Sequence, residues 1–182
     1  MMNDYTLKVA GLVRHLPLRR VGPDLSIASF VMLGDTELVE RTAVALYEKI
    51  PRYEIDILVC PEAKAIPLAQ ALASLLKVNY VVVRKSVKSY MNSPLIETVK
   101  SITTTQEQLL ALDGIDVEKV RGRNICIVDD VVSTGGSLKS IEALLQRIEC
   151  KIVCKAAVLL EEAGYEDPGL VYLERLPVFR DS

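Results

Sequence analysis

The stretch ICIVDDVVSTGGS, residues 125–137, constrains the fold of this chain more than any other part. It begins with an apolar, β-branched run at residues 125–128, which is typical of a buried strand in a parallel sheet. After it, apolar residues recur at helical spacing over residues 138–148. The sequence therefore predicts a strand, a short turn and a helix, with Asp129 and Asp130 at the solvent-facing end of the strand.

The predicted turn has the chemistry of a phosphate site. Glycine allows the backbone to approach an anion closely, and the free N–H groups at the start of a helix favour a phosphate. Two adjacent carboxylates before such a turn can accept hydrogen bonds from sugar hydroxyls or face a hydrated Mg²⁺. The alternative is an ordinary Asp-rich connection, since Asp and Gly are common in turns. The stretch is not a Walker A loop, because no Gly-Lys-Ser/Thr follows at the required spacing.

Composition limits the class of protein. The chain has 182 residues, half of them apolar and 25% charged, which is typical of one globular domain with a two-sided α/β core. The formal net charge of −2 gives no reason to expect nucleic acid or an anionic membrane as a partner. No apolar run approaches the roughly 20 residues of a membrane span, and the first residues are too polar for a signal peptide. We therefore expect a cytoplasmic protein.

The cysteines and the single histidine argue against disulfide or multi-histidine metal chemistry. Cys60 and Cys126 lie in apolar strand-like runs, where a thiol behaves as a small buried hydrophobe. The spacing of Cys150 and Cys154 places them on one face of a strand and suits neither a zinc knuckle nor a redox pair. We expect free thiols, and His15 alone cannot form a multi-histidine metal centre.

Strands and helices alternate along most of the chain. Three further predicted strands lie at residues 55–60, 80–83 and 152–160, and two further predicted helices at residues 38–50 and 66–76. This alternation predicts an α/β fold with a mostly parallel sheet covered by helices on both faces. The exception is the stretch 84–123, which has no clean period and predicts either a functional loop or a hairpin arm.

Two more turns follow predicted strands directly. The first reads Glu62-Ala63-Lys64-Ala65 and precedes the helix predicted from residue 66. The second carries three cations, Arg84, Lys85 and Lys88. In a chain of net negative charge, three cations at the end of a strand form a focused positive site suited to a polyphosphate. A solvated basic turn and an ordinary helix start are the alternatives.

Residues 125–137 resemble the phosphoribosyl-diphosphate (PRPP) motif of the type I phosphoribosyltransferases: a hydrophobic strand, two acids, a short spacer and T-G-G-[ST]. The resemblance implies that the acids contact the ribose hydroxyls and that the turn holds the 5′-phosphate. It also implies that Mg²⁺ is held mainly through PRPP, near Asp129 and Asp130. The implied PRPP-binding residues are Asp129, Asp130, Val131, Val132, Ser133, Thr134, Gly135, Gly136 and Ser137.

The two other turns resemble segments of adenine phosphoribosyltransferases. Residues 62–65 resemble their E-A-R-G pyrophosphate loop, often strained, with Lys64 in place of Arg and Ala65 in place of Gly. Residues 83–88 resemble their V-R-K-x-x-K segment, which opens a mobile loop, here a lid over residues 88–108. The implied pyrophosphate-binding residues are Ala63, Lys64, Arg84, Lys85 and Lys88, and the implied catalytic residues are Asp129, Asp130, Glu62 and Lys88.

The resemblance implies one type I phosphoribosyltransferase domain over residues 1–182, with a core at about 35–160 and a hood from 1–34 and 161–182. From composition alone, the two end segments could equally be peripheral strands that close the core. It further implies a homodimeric purine-salvage enzyme whose substrates are PRPP and a purine base. Hypoxanthine–guanine enzymes usually have Asp before the Thr-Gly pair, whereas Ser133 stands here, so adenine is favoured.

Other readings of the resemblance remain open. One is a xanthine or hypoxanthine enzyme, and another is an orotate or pyrimidine phosphoribosyltransferase. The last is a PRPP-sensing transcriptional regulator, although such proteins add an N-terminal DNA-binding domain and this chain shows no basic recognition helix.

Overall fold

The computed structural model describes residues 4–100 and 107–180, without the side chains of residues 99, 100, 107 and 108. The elements in these residues are, in chain order, β1 (Asp4–Val9), β2 (Leu12–Gly22), β3 (Leu25–Ala28), α1 (Thr36–Lys49), β4 (Ile57–Pro61), α2 (Ile66–Leu76), β5 (Asn79–Val83), β6 (Leu95–Lys100), β7 (Glu107–Leu112), α3 (Gly114–Val120), β8 (Asn124–Val132), α4 (Gly136–Gln146), β9 (Lys151–Glu161), β10 (Leu170–Leu176) and β11 (Val178–Arg180).

A five-stranded sheet in the order β10-β9-β8-β4-β5 forms the centre of the protein. All of its neighbouring strands are parallel. The chain order of the strands reverses between β4 and β8, which pair directly from Ile57 opposite Ile125. In open parallel sheets, ligands bind beyond the carboxyl ends of the strands at such a reversal. The topology therefore points to the ends of β4 and β8 as the place for a site.

Helices cover both faces of this sheet, as the alternation of strands and helices predicts. Successive residues of a strand point to opposite faces. Leu58 and Cys126 pack with α1 and α2 on one face, whereas Val59 and Ile127 pack with α3 and α4 on the other. All four side chains are fully buried. The short helix α3 was not predicted by the sequence pattern.

The N-terminal segment and the chain's last strand form a second, antiparallel sheet in the order β1-β2-β3-β11. Ala10 and Gly11, with φ of 50° and 76°, form a tight turn between β1 and β2, which suits the twist of a hairpin. Leu7 and Leu16 of this sheet belong to the same buried cluster as Leu38 of α1. The sheet is therefore packed against the core.

Residues 161–182 divide between the two predicted alternatives, a hood and peripheral strands that close the core. β10 lies within the predicted hood segment 161–182, but it pairs in parallel with β9 and forms the edge of the central sheet. Its apolar residues, such as Leu170 and Leu176, are buried there. Of that segment, β11 is the strand that joins the N-terminal sheet.

The stretch with no clear period adopts the hairpin form of the two predicted alternatives. β6 and β7 pair in an antiparallel hairpin, and Ala111 also bridges to Arg84 at the end of β5. Residues 101–106, part of the predicted lid over 88–108, lie outside the described residues.

The cysteines are free, as predicted, but Cys150 does not share a strand with Cys154. β9 begins only at Lys151, and Cys150 is half-buried while the other three thiols are buried. Cys154 instead lies opposite Cys126 in the register of β8 and β9. Among the described residues, no helix has the length and apolar character needed to cross a membrane.

Candidate active site

The predicted phosphate turn, residues 133–137, connects β8 to α4 at the reversal of the sheet. Gly135 is the N-cap of α4 in the left-handed region, with φ of 76°, and no side chain caps the helix. The first N–H groups of a helix have no partner within the helix, so they are suited to bind an anion. The turn and the neighbouring residues of β8 line a cavity of about 100 Å³.

The two acids do not lie at a solvent-facing strand end, contrary to the prediction from the sequence. Asp129 and Asp130 lie inside β8 and are each only 7% exposed. The strand continues to Val132 because Val131 and Val132 still pair with Leu159 and Leu160 of β9. The acids are therefore held rigidly within the sheet.

Burial changes the chemistry of this acid pair. Burial and then the neighbouring charge of Asp130 raise the pKa of Asp129 well above its ordinary value, although the backbone N–H of Asp130 donates to Asp129 Oδ1 at 2.8 Å. Asp130 Oδ2 is buried and has no hydrogen-bond partner among the described residues. Buried polar atoms are rarely left unpaired, so this oxygen is suited to accept a hydrogen bond from a ligand hydroxyl or from a water on a cation.

The acid pair fits a hydrated cation shared with a ligand better than a cation site made by protein alone. Among the described residues, no group of three or more Asp, Glu, His or Cys side chains comes together in a way that could hold a metal ion. Asp129 and Asp130 thus offer carboxylate oxygens, which Mg²⁺ prefers, but the remaining ligands would come from water or phosphate oxygens.

The second predicted turn, residues 62–65, connects β4 to α2 across from the acids. The peptide bond between Glu62 and Ala63 is cis. Ala65 is buried and is the N-cap of α2, which has no side-chain cap, whereas Lys64 is exposed. Unlike the start of α4, this helix start offers few free N–H groups, because the Ile66 N–H donates to Ala63 O at 3.2 Å and Pro67 has no N–H.

The carboxylate of Glu62 is bound to the basic segment, residues 84–88. Its Oε1 accepts a hydrogen bond from Arg84 Nη1 at 3.1 Å, and its Oε2 accepts one from the backbone N–H of Lys85, also at 3.1 Å. Lys88 Nζ lies 4.0 Å from Oε1. The hydrogen bond from Lys85, followed by that from Arg84, lowers the pKa of Glu62. The carboxylate is therefore an ionised acceptor that orients the cations.

A cavity of about 190 Å³ brings most of the predicted site residues together. Residues 61–65, Lys85, the two acids, Val131 and Ser137 line this cavity. The adjacent smaller cavity is lined by Val132, Ser133, Thr134, Gly135 and Gly136. Arg84 and Lys88 do not line either cavity, because both side chains turn toward Glu62.

Two residues that the sequence analysis did not select also contact the site. Ser133 Oγ donates a hydrogen bond to the buried carboxylate of Glu161, and the ring of Tyr165 lies directly against Gly135. Glu161 is the last residue of β9 and Tyr165 lies in the connection after it, a stretch that the sequence pattern presents only as an acidic turn. No local signal links them to the phosphate turn, because about thirty residues separate them along the chain.

Comparison with known proteins agrees with this geometry. The family model of the phosphoribosyl transferase domain matches residues 33–172, so the chain belongs to that family. A hypoxanthine/guanine phosphoribosyltransferase of Methanothermus fervidus is 33% identical over 134 residues, which are 74% of this chain and 67% of that protein. An adenine phosphoribosyltransferase of Petrotoga mobilis is 30% identical over 138 residues, 75% of each chain.

A solved structure shows the same fold. The adenine phosphoribosyltransferase of Rhodothermus marinus has a TM-score of 0.68 and 21% identity, covering 96% of this chain and 94% of its own. The protein is thus a phosphoribosyltransferase of the purine type, an enzyme that transfers a pentosyl group. Its relatives act on different purines, so family membership does not fix the base.

Proposed function

We propose that this protein transfers ribose 5-phosphate from PRPP to a purine base, with adenine favoured, and releases a nucleoside 5′-monophosphate and pyrophosphate. The observation that carries the proposal is the meeting of three elements at the sheet reversal. A helix start with uncapped N–H groups, a buried acid pair with an unpaired oxygen and a second turn beside Lys85 share adjoining cavities. Together they suit a ligand with a phosphate at one end and a diphosphate at the other.

The proposed chemistry assigns a part to each element. Cleavage of the bond from the anomeric carbon to pyrophosphate develops positive charge on the ribose and negative charge on the leaving group. The phosphate turn would hold the 5′-phosphate, and Asp129 and Asp130 would accept hydrogen bonds from the ribose hydroxyls and stabilise the positive charge. When bound, Mg²⁺ would neutralise charge on the diphosphate.

On the leaving-group side, the exposed cations would stabilise pyrophosphate. Lys64 and Lys85 lie beside the cavity, while Arg84 and Lys88 contribute charge from their positions on Glu62. Glu62 then acts by positioning these cations rather than by proton transfer. Closure of the segment after Lys88 would exclude water from the reactants.

The proposal also specifies which purine base is the substrate. Ser133 precedes the Thr-Gly pair, so no carboxylate at that position handles the proton of a 6-oxopurine ring, which favours adenine. One observation favours hypoxanthine or guanine as the second candidate. The buried carboxylate of Glu161 is hydrogen-bonded to Ser133 and places an acid next to that position from another strand.

The test is pyrophosphate release with PRPP and Mg²⁺ and each of adenine, hypoxanthine, guanine, xanthine, uracil and orotate. We expect release with adenine, loss of activity when Mg²⁺ is chelated, and loss in a variant carrying Asp129→Asn and Asp130→Asn. Faster release with a 6-oxopurine would transfer the assignment to the second candidate, and release with orotate or uracil alone would contradict both.

PRPP binding without transfer to any base would instead support a PRPP-sensing regulator. The family resemblance further implies a cytoplasmic homodimer, acting in purine salvage without nucleic acid or membrane partners. Sedimentation of the purified protein tests the dimer.

A further inference from the structure

The end of β9 and the connection after it contact the phosphate turn at two points. Glu161, at the end of β9, accepts a hydrogen bond from Ser133 Oγ. Four residues later, the ring of Tyr165 lies so close to Gly135 that a Cβ at that glycine would overlap the ring carbons. Gly135 also has a φ of 76°, a conformation that glycine adopts freely but exchanges easily for others. The Tyr165 ring restricts this choice from one side.

Tyr165 is itself held by a chain of polar contacts. Its hydroxyl donates to Asp167 Oδ2 at 3.0 Å, and Asp167 Oδ2 pairs with the ammonium group of Lys155 from β9. Lys155 Nζ also pairs with Glu142 Oε1 of α4 at 2.8 Å. The charged side chains of this chain are only 16–25% exposed. The ring is thereby tied both to the central sheet and to the helix whose start it covers.

The charge states of these groups support the same arrangement. The hydrogen bond from Lys155 lowers the pKa of Asp167. Burial and then the hydrogen bond to Asp167 raise the pKa of Tyr165 to about 12, so its hydroxyl remains a donor at neutral pH. Lys139 of α4 adds a cation–π contact, with Nζ 5.7 Å from the ring centroid.

We propose that Tyr165, held by Asp167 and Lys155, is a positioning residue that keeps the phosphate turn in its anion-binding conformation before PRPP binds. The inference rests on the proposed function. Ordering a flexible turn on binding costs free energy, and a turn ordered in advance avoids that cost. Loss of the ring should therefore weaken binding of the 5′-phosphate without affecting the pyrophosphate side, which is held by Glu62.

The experiment measures the affinities of ribose 5-phosphate and of pyrophosphate, each with Mg²⁺, by calorimetry. We expect Tyr165→Leu to weaken ribose 5-phosphate binding about tenfold, which is within the range of coupling between residues in contact such as Tyr165 and Gly135. Pyrophosphate binding should stay unchanged. Tyr165→Phe keeps the ring on Gly135 but loses the hydrogen bond to Asp167, so its affinity should lie between those of wild type and Tyr165→Leu. Lys155→Met should also weaken ribose 5-phosphate binding. The double variant with Tyr165→Leu should bind little more weakly than Tyr165→Leu alone. Tyr172→Leu removes another tyrosine that lines the same cavity as Tyr165. Its atoms are not among the three nearest to a Cβ built on Gly135, so it serves as the matched control.

The outcomes separate the inference from the proposed function. A wild-type protein that binds neither ligand would contradict the proposed function, and the inference with it. Wild-type binding of ribose 5-phosphate that Tyr165→Leu and Lys155→Met leave intact would overturn the inference alone. An equal loss of affinity for both ligands would also overturn the inference, because it would indicate a general loss of structure. If Tyr165→Leu fails to fold, the same comparison is made with Lys155→Met.

Discussion

The phosphate turn, residues 133–137, and the basic segment, residues 84–88, follow β8 and β5, which lie on either side of β4, but they are built in opposite ways. The turn contains no cation and offers backbone N–H groups, with Gly135 enclosed by Tyr165. The basic segment offers exposed side-chain charges, with Arg84 and Lys88 about one third exposed and oriented by Glu62. One site depends on geometry and the other on charge.

The difference suits the proposed roles. A 5′-phosphate stays on the product throughout transfer, so a rigid backbone cradle serves it from substrate to product. Pyrophosphate must arrive, gain charge and leave, and solvated side chains can follow it at little cost. The acid pair lies between the two regions and differs from both, because it offers side-chain carboxylates that are buried.

Replacing both acids, by Asp129→Asn with Asp130→Asn, should give the largest effect. Both amides keep the shape of the carboxylates but lose the charge that, in the proposed function, stabilises the ribose in the transition state. We expect transfer to fall by roughly 10²-fold or more, the scale seen when a transition-state contact is removed. Initial rates of pyrophosphate release measure it. Activity within threefold of wild type would remove the acids from the site.

The same burial makes a prediction about pH and stability. The pKa of Asp129 is raised in the folded protein, above about 3.9 in the unfolded chain. The contribution of Asp129 to the free energy of unfolding is therefore fully present below about pH 4, and it is lost as pH rises through the pKa of the folded protein. Asp129→Asn alone should raise the melting temperature at pH 7, by roughly 2–4 °C for each 1 kcal/mol, and by less at pH 4. A lower melting temperature at pH 7 would contradict the buried placement.

Gly135→Ala tests the geometric region and should have the next largest effect. Alanine in the left-handed region costs about 1–2 kcal/mol, and overlap with Tyr165 should add about 1–3 kcal/mol. We expect a lower urea midpoint than in wild type. The KM for PRPP should increase more than the KM for the base. Gly136→Ala is the stability control, because a Cβ there meets only Thr134 Oγ1 at 3.7 Å. Equal urea midpoints for the two variants would show that Tyr165 does not confine the turn.

The two regions also differ in how far the sequence predicts them. The predicted turn over residues 133–137 is confirmed between β8 and α4, because apolar periodicity and paired glycines are local signals. Its binding of a phosphate stays a prediction. The end of β8 was predicted four residues too early, since the burial of the acids depends on pairing with β9, which is remote in sequence. The support of Gly135 by Tyr165 is a remote contact of the same kind.

For the basic segment, the sequence shows the charged residues but not the contacts that they make. Its cations are visible in the sequence, but their partner Glu62 lies 22 residues earlier. Parallel neighbours such as β4 and β5 bring their ends together, so opposite charges after two predicted strands could have indicated this pair. Nothing local in the sequence indicates that the carboxylate is already bound.

Glu62→Gln tests the region that depends on charge and should have a moderate effect. The amide retains one acceptor but loses the charge that orients Arg84 and Lys85, so we expect kcat/KM for PRPP to fall about tenfold at low salt, or about 1.4 kcal/mol. The deficit should shrink as KCl is raised, because salt screens partly exposed pairs. Glu40→Gln, an exposed acid on α1, is the control. A deficit independent of salt would indicate that Glu62 acts on the substrate directly.

The smallest effect should appear in the segment that joins the basic cations to the hairpin. Residues 86–93 carry mostly exposed side chains, whereas Leu110, Ala111 and Leu112 are buried, and the Ala111 N–H donates to Arg84 O at 2.8 Å. Local opening follows such differences in burial. Hydrogen exchange should therefore be fast over 86–93 and slow over 110–112 in the free protein. PRPP, Mg²⁺ and an unreactive base analogue should slow only the former, by a few-fold, because the proposed closure would bring Lys88 onto the bound reactants. If 86–93 is already as protected as residues 125–128 without ligand, the segment is fixed, and the basic region is as rigid as the phosphate turn.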